Sequence, residues 1–221
     1  SESIKAITVE DPVEYQVAGV NQIQVNHKVG LTFAAGLRAI LRHDPDVVMI
    51  GEIRDLETAE TAVQASLTGH LVFSTLHTND APGSITRLLD MGVEPFLVSS
   101  SVEGVLAQRL VRRLCPECKT PVEHKAIELP KDFKPSRTDT LFQPGSCKAC
   151  LHRGYIGRIG VYEILRMSDH TRELVMARKS APQIAAEAAK ESNLYTLRHD
   201  AFEKVRQGVT TIEEASRAIA T

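Results

Sequence analysis

Asp44-Pro45-Asp46-Val47-Val48-Met49-Ile50-Gly51-Glu52 is the stretch on which the fold turns. An apolar run, opened by a proline and closed by a glycine and a carboxylate, reads as a strand covered on both faces. That is the pattern of a central parallel sheet flanked by helices. On its upstream side, Phe33, Leu37, Ile40 and Leu41 fall at helical spacing between Thr32 and Arg42, and Pro45 stops that helix. Downstream, residues 56–68 read as a helix ended by Gly69, followed by a strand over Leu71–Leu76. Farther back, Ile4–Val9 reads as a short buried strand closed by Glu10-Asp11-Pro12, and Asn21–Val25 alternates as a half-buried strand does. Asn79 or Asp80 can cap the next helix, with Pro82 in its first turn and Gly92 just past its end. Strands alternating with helices in this way predict an open α/β sheet.

At 221 residues the chain has length for one large domain or one and a half. Its 43% hydrophobic and 24% charged content is that of an ordinary soluble protein. With 26 basic against 28 acidic residues, the net charge of −2 argues against a bulk binder of nucleic acid. No apolar run approaches the roughly 18 residues of a membrane-spanning helix, so no direct membrane insertion is expected. Ser1-Glu2-Ser3-Ile4-Lys5 lacks the apolar core of a signal peptide. These features lead to the expectation of a soluble, cytoplasmic chain.

The pattern changes after a long helix expected at about 96–113. Tyr155–Leu165 reads as extended, and everything beyond Ser168 as helical. Ser180-x-x-Gln183 and Thr211-x-x-Glu214 are capping boxes that open short helices. The expected division is an α/β unit over 1–114, a cysteine module with a return strand over 115–165, and a helical tail over 166–221.

All four cysteines of the chain lie in that module, as Cys115-Pro-Glu-Cys118 and Cys147-Lys-Ala-Cys150. A two-residue spacing lets one tight turn aim both sulfurs at a point, and two such turns complete a tetrahedral thiolate site for Zn²⁺. The intervening residues 119–146 exceed the about 15–20 of the common ribbon spacing, so that loop is an insertion. The alternatives are two disulfides or unrelated buried thiols. Disulfides are disfavoured by the missing signal peptide, and a redox pair would be expected once, beside a βαβ unit. With all four positions taken by protein, the expected zinc is structural.

Ligands of an open parallel sheet gather at the carboxyl ends of its strands. Here those ends carry Glu10-Asp11, Gly51-Glu52 and Ser74-Thr75-Leu76-His77. Glu52, one glycine past an apolar run, suits a carboxylate that orients water for attack on a phosphate or holds Mg²⁺ through water. The alternative is a carboxylate simply paired with Arg54. A zinc hydrolase built on His70 and His77 fails, because the two would point to opposite faces of a strand.

Longer motifs run through the same positions. Ile7-Thr8-Val9-Glu10-Asp11-Pro12-Val13-Glu14 resembles the Asp box of the secretion ATPases, residues 44–55 resemble their Walker B segment, and residues 68–79 their His box. Gln108-Arg109-Leu110-Val111-Arg112-Arg113-Leu114 runs straight into the first cysteine pair. The ordered set covers nearly the whole chain and resembles the type II secretion ATPases, the cytoplasmic motors of pseudopilus assembly. The pilus-extension ATPases are a close alternative.

The resemblance implies a RecA-like fold, ATP and Mg²⁺ as ligands, rings of six subunits, and recruitment to the inner membrane by platform proteins of the secretion system. It makes Glu52 the Walker B carboxylate that positions or activates water, with Glu10 and His77 lining the same nucleotide site. Arg38 and Arg42 lie four apart, on one face of the expected helix. They could reach a neighbour's phosphates or simply form a solvated face. Arg109, Arg112 and Arg113 could serve subunit contacts or carboxylates of the cysteine module.

A P-loop requires G-x-x-x-x-G-K-[ST], and no Gly-Lys dipeptide occurs in the chain. In the family that loop precedes the Asp box. The expectation is therefore an incomplete sheet, without the P-loop strand and helix, that exposes apolar surface and does not hydrolyse ATP by itself. Two other readings remain: a non-catalytic zinc-containing docking module, and a nucleic-acid ribbon, which the charge opposes.

Overall fold

A computed structural model describes residues 4–136 and 139–220. The strands and helices follow in the order β1 (Ala6–Glu10), β2 (Asn21–Gln24), α1 (Phe33–Ile40), β3 (Val47–Ile50), α2 (Leu56–Leu67), β4 (Leu71–Ser74), α3 (Ala81–Asp90) and α4 (Pro95–Ser101). Then come β5 (Gly104–Leu114), β6 (Thr120–Val122), β7 (Leu141–Gln143), β8 (Tyr155–Arg166), α5 (Asp169–Met176), α6 (Ala181–Lys190), β9 (Leu194–Tyr195), α7 (Leu197–Arg206) and α8 (Ile212–Ile219). By contacts the chain divides into two units, each built from separated stretches. One takes residues up to 78, 82–103 and 167–187; the other takes 79–81, 104–166 and 188 onward.

The first unit holds a parallel sheet in the order β2-β1-β3-β4. The α/β expectation is met, and the apolar run at 47–50 is a central strand. Alternation decides which face is filled. Ile7, Val9, Val48 and Ile50 are buried with Phe33, Leu37 and Ile40 of α1 and Ala62 of α2. Thr32 caps α1 by accepting from Ala35 N–H, and Asp55 caps α2 by accepting from Thr58 N–H at 2.8 Å. Helix and sheet come close at Gly36, where a Cβ would stand 2.5 Å from Val9 Cγ2. Val47 and Met49, on the other face, are only half-buried, and beside them on edge strand β4 Leu71 and Phe73 are 54% and 55% exposed. An all-apolar strand here therefore marks a sheet packed fully on one face and partly on the other.

The second unit is built on β5 and β8, paired antiparallel along their length, with β9 on the far side of β8. This corrects the helix expected over 96–113. Only Pro95–Ser101 is helical, and 104–114 is a strand. Leu, Ala, Gln and Arg are good helix formers, but the long pairing with β8 overrides that local preference. Behind the two strands lies a core that includes Val111, Phe133, Leu141, Val161, Phe202 and Ile212, with the Phe133 and Phe202 rings edge-to-face at 5.0 Å.

Helices prevail beyond Ser168, broken by the two-residue β9. Gln183 reaches back to accept from Ser180 N–H at 3.1 Å, as its capping box predicts. Thr211 caps α8 by accepting from Glu214 N–H, but the Glu214 carboxylate turns away to Arg112.

Candidate functional site

Because β1, β3 and β4 run parallel, their carboxyl ends lie at one edge of the sheet. Gly51 N–H continues the ladder to Val9 O at 2.8 Å. Two hydroxyls latch the end of β4 to that of β3: Ser74 Oγ donates to Ile50 O at 3.0 Å and Thr75 Oγ1 to Gly51 O at 2.6 Å. Ile53 N–H donates to Thr75 O at 3.0 Å, so the segments that carry Glu52 and His77 are tied by their backbones. These hydroxyl latches gave no signal in the sequence beyond the polarity of the strand end.

The geometry brings Glu52 and His77 together. Glu52 is buried, its Oε2 lying 3.0 Å from His77 Nε2 and its Oε1 accepting from Arg54 Nη2 at 2.6 Å. The Arg54 pair, the alternative the sequence offered, is made, and the His77 contact uses the other oxygen of the same carboxylate. The Arg54 hydrogen bond, opposed by burial and assisted by His77, holds the Glu52 carboxyl below the usual carboxylate range. A carboxylate fixed in charge and direction beside an exposed imidazole can accept a proton from, or orient, a water at the sheet edge.

Glu10 occupies the same edge but faces other partners, accepting from Thr8 Oγ1 and from Gln22 Nε2 at 2.9 Å. Arg38 on α1 donates to Glu57 Oε1 at 2.8 Å. Arg42 lies outside α1, in the 3₁₀ turn over Leu41–His43, so the two arginines do not share one α-helical face. Arg109 donates to Asn79. Arg112 pairs with Glu214 at 2.6 Å and lies over the Tyr155 ring, so the carboxylate it meets comes from α8. Arg113 is exposed.

Glu214 is only 4% exposed. Burial works to raise its pKa, but the side-chain and backbone donors of Arg112 outweigh it and hold the group below the ordinary value. A lowered folded-state pKa means stability that is present above the unfolded value and lost as pH falls through the lowered one. Glu214→Gln is expected to lower the urea midpoint at neutral pH, with the gap to wild type closing in acid. An equal gap at both pH values would refute this assignment.

The four cysteines converge in the second unit. Their sulfurs all lie within 4.8 Å of one another, with Cys115–Cys147, Cys118–Cys150 and Cys147–Cys150 each at 3.7 Å. Thiolates about 2.3 Å from a tetrahedral zinc stand about 3.8 Å apart, so the donor set fits that metal. Gly145 permits the approach of the two turns, since a Cβ there would fall 1.9 Å from Cys118 O. Burial and neighbouring thiols push Cys118 up to about 12. For Cys150, burial is outweighed by backbone hydrogen bonds at Cys147 and Gly154, which bring it down to about 6.

A family model described as Type II/IV secretion system protein matches residues 1–217. The Type II secretion system ATPase E of Vibrio cholerae serotype O1 is 55% identical over 212 residues, covering 96% of this chain and 42% of that protein. The Type IV pilus assembly ATPase PilB of Myxococcus xanthus is 50% identical over 211 residues, covering 94% and 37%. Among solved structures, the pilus retraction motor PilT with bound ADP matches with a TM-score of 0.69 at 30% identity, over 98% of this chain and 52% of that one. The chain therefore spans less than half the length of these two curated relatives.

Proposed function

This chain belongs to the Type II/IV secretion system protein family, and on that premise we propose that it is part of a motor ATPase of type II secretion, powering pseudopilus assembly by ATP hydrolysis. The observation that carries the reading is the Glu52–His77 contact at the carboxyl ends of adjacent parallel strands. In this reading Glu52 accepts the proton of, or orients, the water that attacks the γ-phosphate. Arg54 keeps Glu52 ionised and aimed, and His77 lines the same site with Glu10. Mg²⁺, when bound with ATP, would neutralise charge on the phosphates. Arg38 and Arg42 serve a neighbouring subunit's site in a ring of six.

By motif, residues 1–114 carry the ATPase boxes, 115–165 the structural zinc module and 166–221 a helical tail. Among the described residues no helix is long and apolar enough to cross a membrane. Attachment to the inner membrane would run through platform proteins, from the cytoplasmic side. The higher identity to the type II relative favours secretion over pilus extension.

Phosphate release by a protein that joins this chain to a Walker A segment tests the reading. Saturable turnover is expected there, and none from the 221 residues alone, which contain no Gly-Lys for a phosphate loop. No turnover from the joined protein would overturn the motor reading. Turnover by the chain alone, free of contaminating ATPase, would overturn the need for that loop.

A further inference from the structure

Glu10 ends β1 at the carboxyl edge of the first unit's sheet, and its two partners lie with it on one face of β1 and β2. Thr8, which is buried, stands two residues earlier, so it shares that face with Glu10. Ile7 and Val9 take the opposite face and pack with α1. Gln22 of β2 stands directly opposite Thr8 in the parallel register. Thr8 Oγ1 and Gln22 Nε2, the latter at 2.9 Å, both donate to the same oxygen, Glu10 Oε1. Among the described residues no donor meets the other oxygen, Oε2.

Gln22 is engaged on every side. Its Nε2 also donates to Tyr15 O at 2.9 Å, and its Oε1 accepts from Val17 N–H at 2.7 Å. The amide therefore faces two acceptors and one donor, and only one of its two orientations satisfies all three. Turned over, its oxygen would stand against a carboxylate and a carbonyl. The segment that leads from Glu10 back to β2 thus selects the orientation in which an N–H faces Glu10. Clamping that segment needs only the bonds to residues 15 and 17. The third bond goes to the carboxylate.

From this we infer that Gln22 is a positioning residue for Glu10: with Thr8 it holds Oε1 and leaves Oε2 to orient a water at the sheet edge. The inference rests on the ATPase reading, in which Glu10 lines the nucleotide site. Gln22 itself touches no reacting atom. The last torsion of a glutamate side chain is broad when nothing restrains it, and two donors on one oxygen narrow it. At a group that orients a reactant, a displacement of about 1 Å is enough to cost on the order of a hundredfold in rate.

The test uses two substitutions in the protein that joins this chain to a Walker A segment. Gln22→Met keeps the length of the side chain and removes all three bonds. Gln22→Glu keeps an acceptor for Val17 N–H, but it loses both donations and sets a second carboxylate against Glu10. Each is expected to lower kcat by about ten- to a hundredfold, with KM for ATP within about twofold. In a Glu10→Ala background, read by single-turnover phosphate release, neither should slow the reaction further, because the group they position is gone. Without nucleotide, hydrogen exchange at the Val17 amide should quicken in Gln22→Met and less so in Gln22→Glu. That readout needs no turnover and follows the clamp separately from the bond to Glu10. Unchanged exchange at Val17 in Gln22→Met would show that the clamp does not set the amide, and would overturn the inference. Full losses that persist in the Glu10→Ala background would mark a general structural role and overturn it too, as would an unchanged kcat in both Gln22 variants. A wild-type protein without turnover overturns the ATPase reading, and the positioning role with it. An active wild type with persistent losses overturns the positioning role alone.

Discussion

Replacing Glu52 with glutamine, in a protein that joins this chain to a Walker A segment, is expected to reduce ATP turnover by about 10²–10⁴-fold, while ATP affinity changes little. The substitution keeps shape and most of the local bonding. A glutamine oxygen can still accept from Arg54, and its amide can donate to a neutral His77. What disappears is the negative charge and the basic oxygen, the two properties a water-orienting role requires. Those properties are provided for in the fold, since Arg54 holds Glu52 below the usual carboxylate range and the side chain is mostly shielded from solvent. Single-turnover phosphate release with direct measurement of nucleotide binding separates the two quantities. Turnover within about threefold of wild type would remove Glu52 from the catalytic role.

Metal removal is expected to act on a different property and to be at least as large. Each chain should carry one zinc ion by metal analysis. Stripping it, or replacing Cys147 and Cys150 with serine, should unfold residues 115–154 and loosen the core they help close. Zinc-finger peptides gain roughly 10–16 kcal/mol from such a site at neutral pH. This stretch has little else to hold it: among its described residues the buried apolar side chains other than cysteine are Phe133 and Leu141. Both pack in the core with Phe202 and Val205 of α7, so the loss should spread beyond the loop. Hydrogen exchange with and without a chelator reads this directly. Unchanged protection across 115–154 in metal-free protein would show that the loop folds on its own packing. It would also reduce the cysteines to incidental neighbours.

Much of the first unit was legible because its signals are local. The runs at 6–10, 47–50 and 71–74 carry the apolar pattern of a sheet, and Thr32 and Asp55 stand where caps are needed. Glu52 and His77 both follow the carboxyl ends of such strands, which is enough to put them at one edge of a parallel sheet. Strand β5 was hidden because Leu-Ala-Gln-Arg-Leu-Val-Arg-Arg-Leu is rich in helix-forming residues, and what makes it a strand is a partner beyond the cysteine loop. The bonding of Gln22 left no trace in the sequence for a similar reason. Two of its partners are backbone groups of residues 15 and 17, which no pattern of side chains announces.

The division of the second unit into separated stretches also sets an order of events on the ribosome. Chains fold as they emerge, from the amino end. By the time Cys150 has been made, all four thiolates are available, yet Leu197, Phe202 and Ile212 of the core beside them have not been synthesised. A nascent chain can therefore load its metal on a loop whose hydrophobic backing is still to come. A zinc ion held there would be the template on which the later helices dock, and starving the translating cell of zinc is then expected to lower the yield of folded protein.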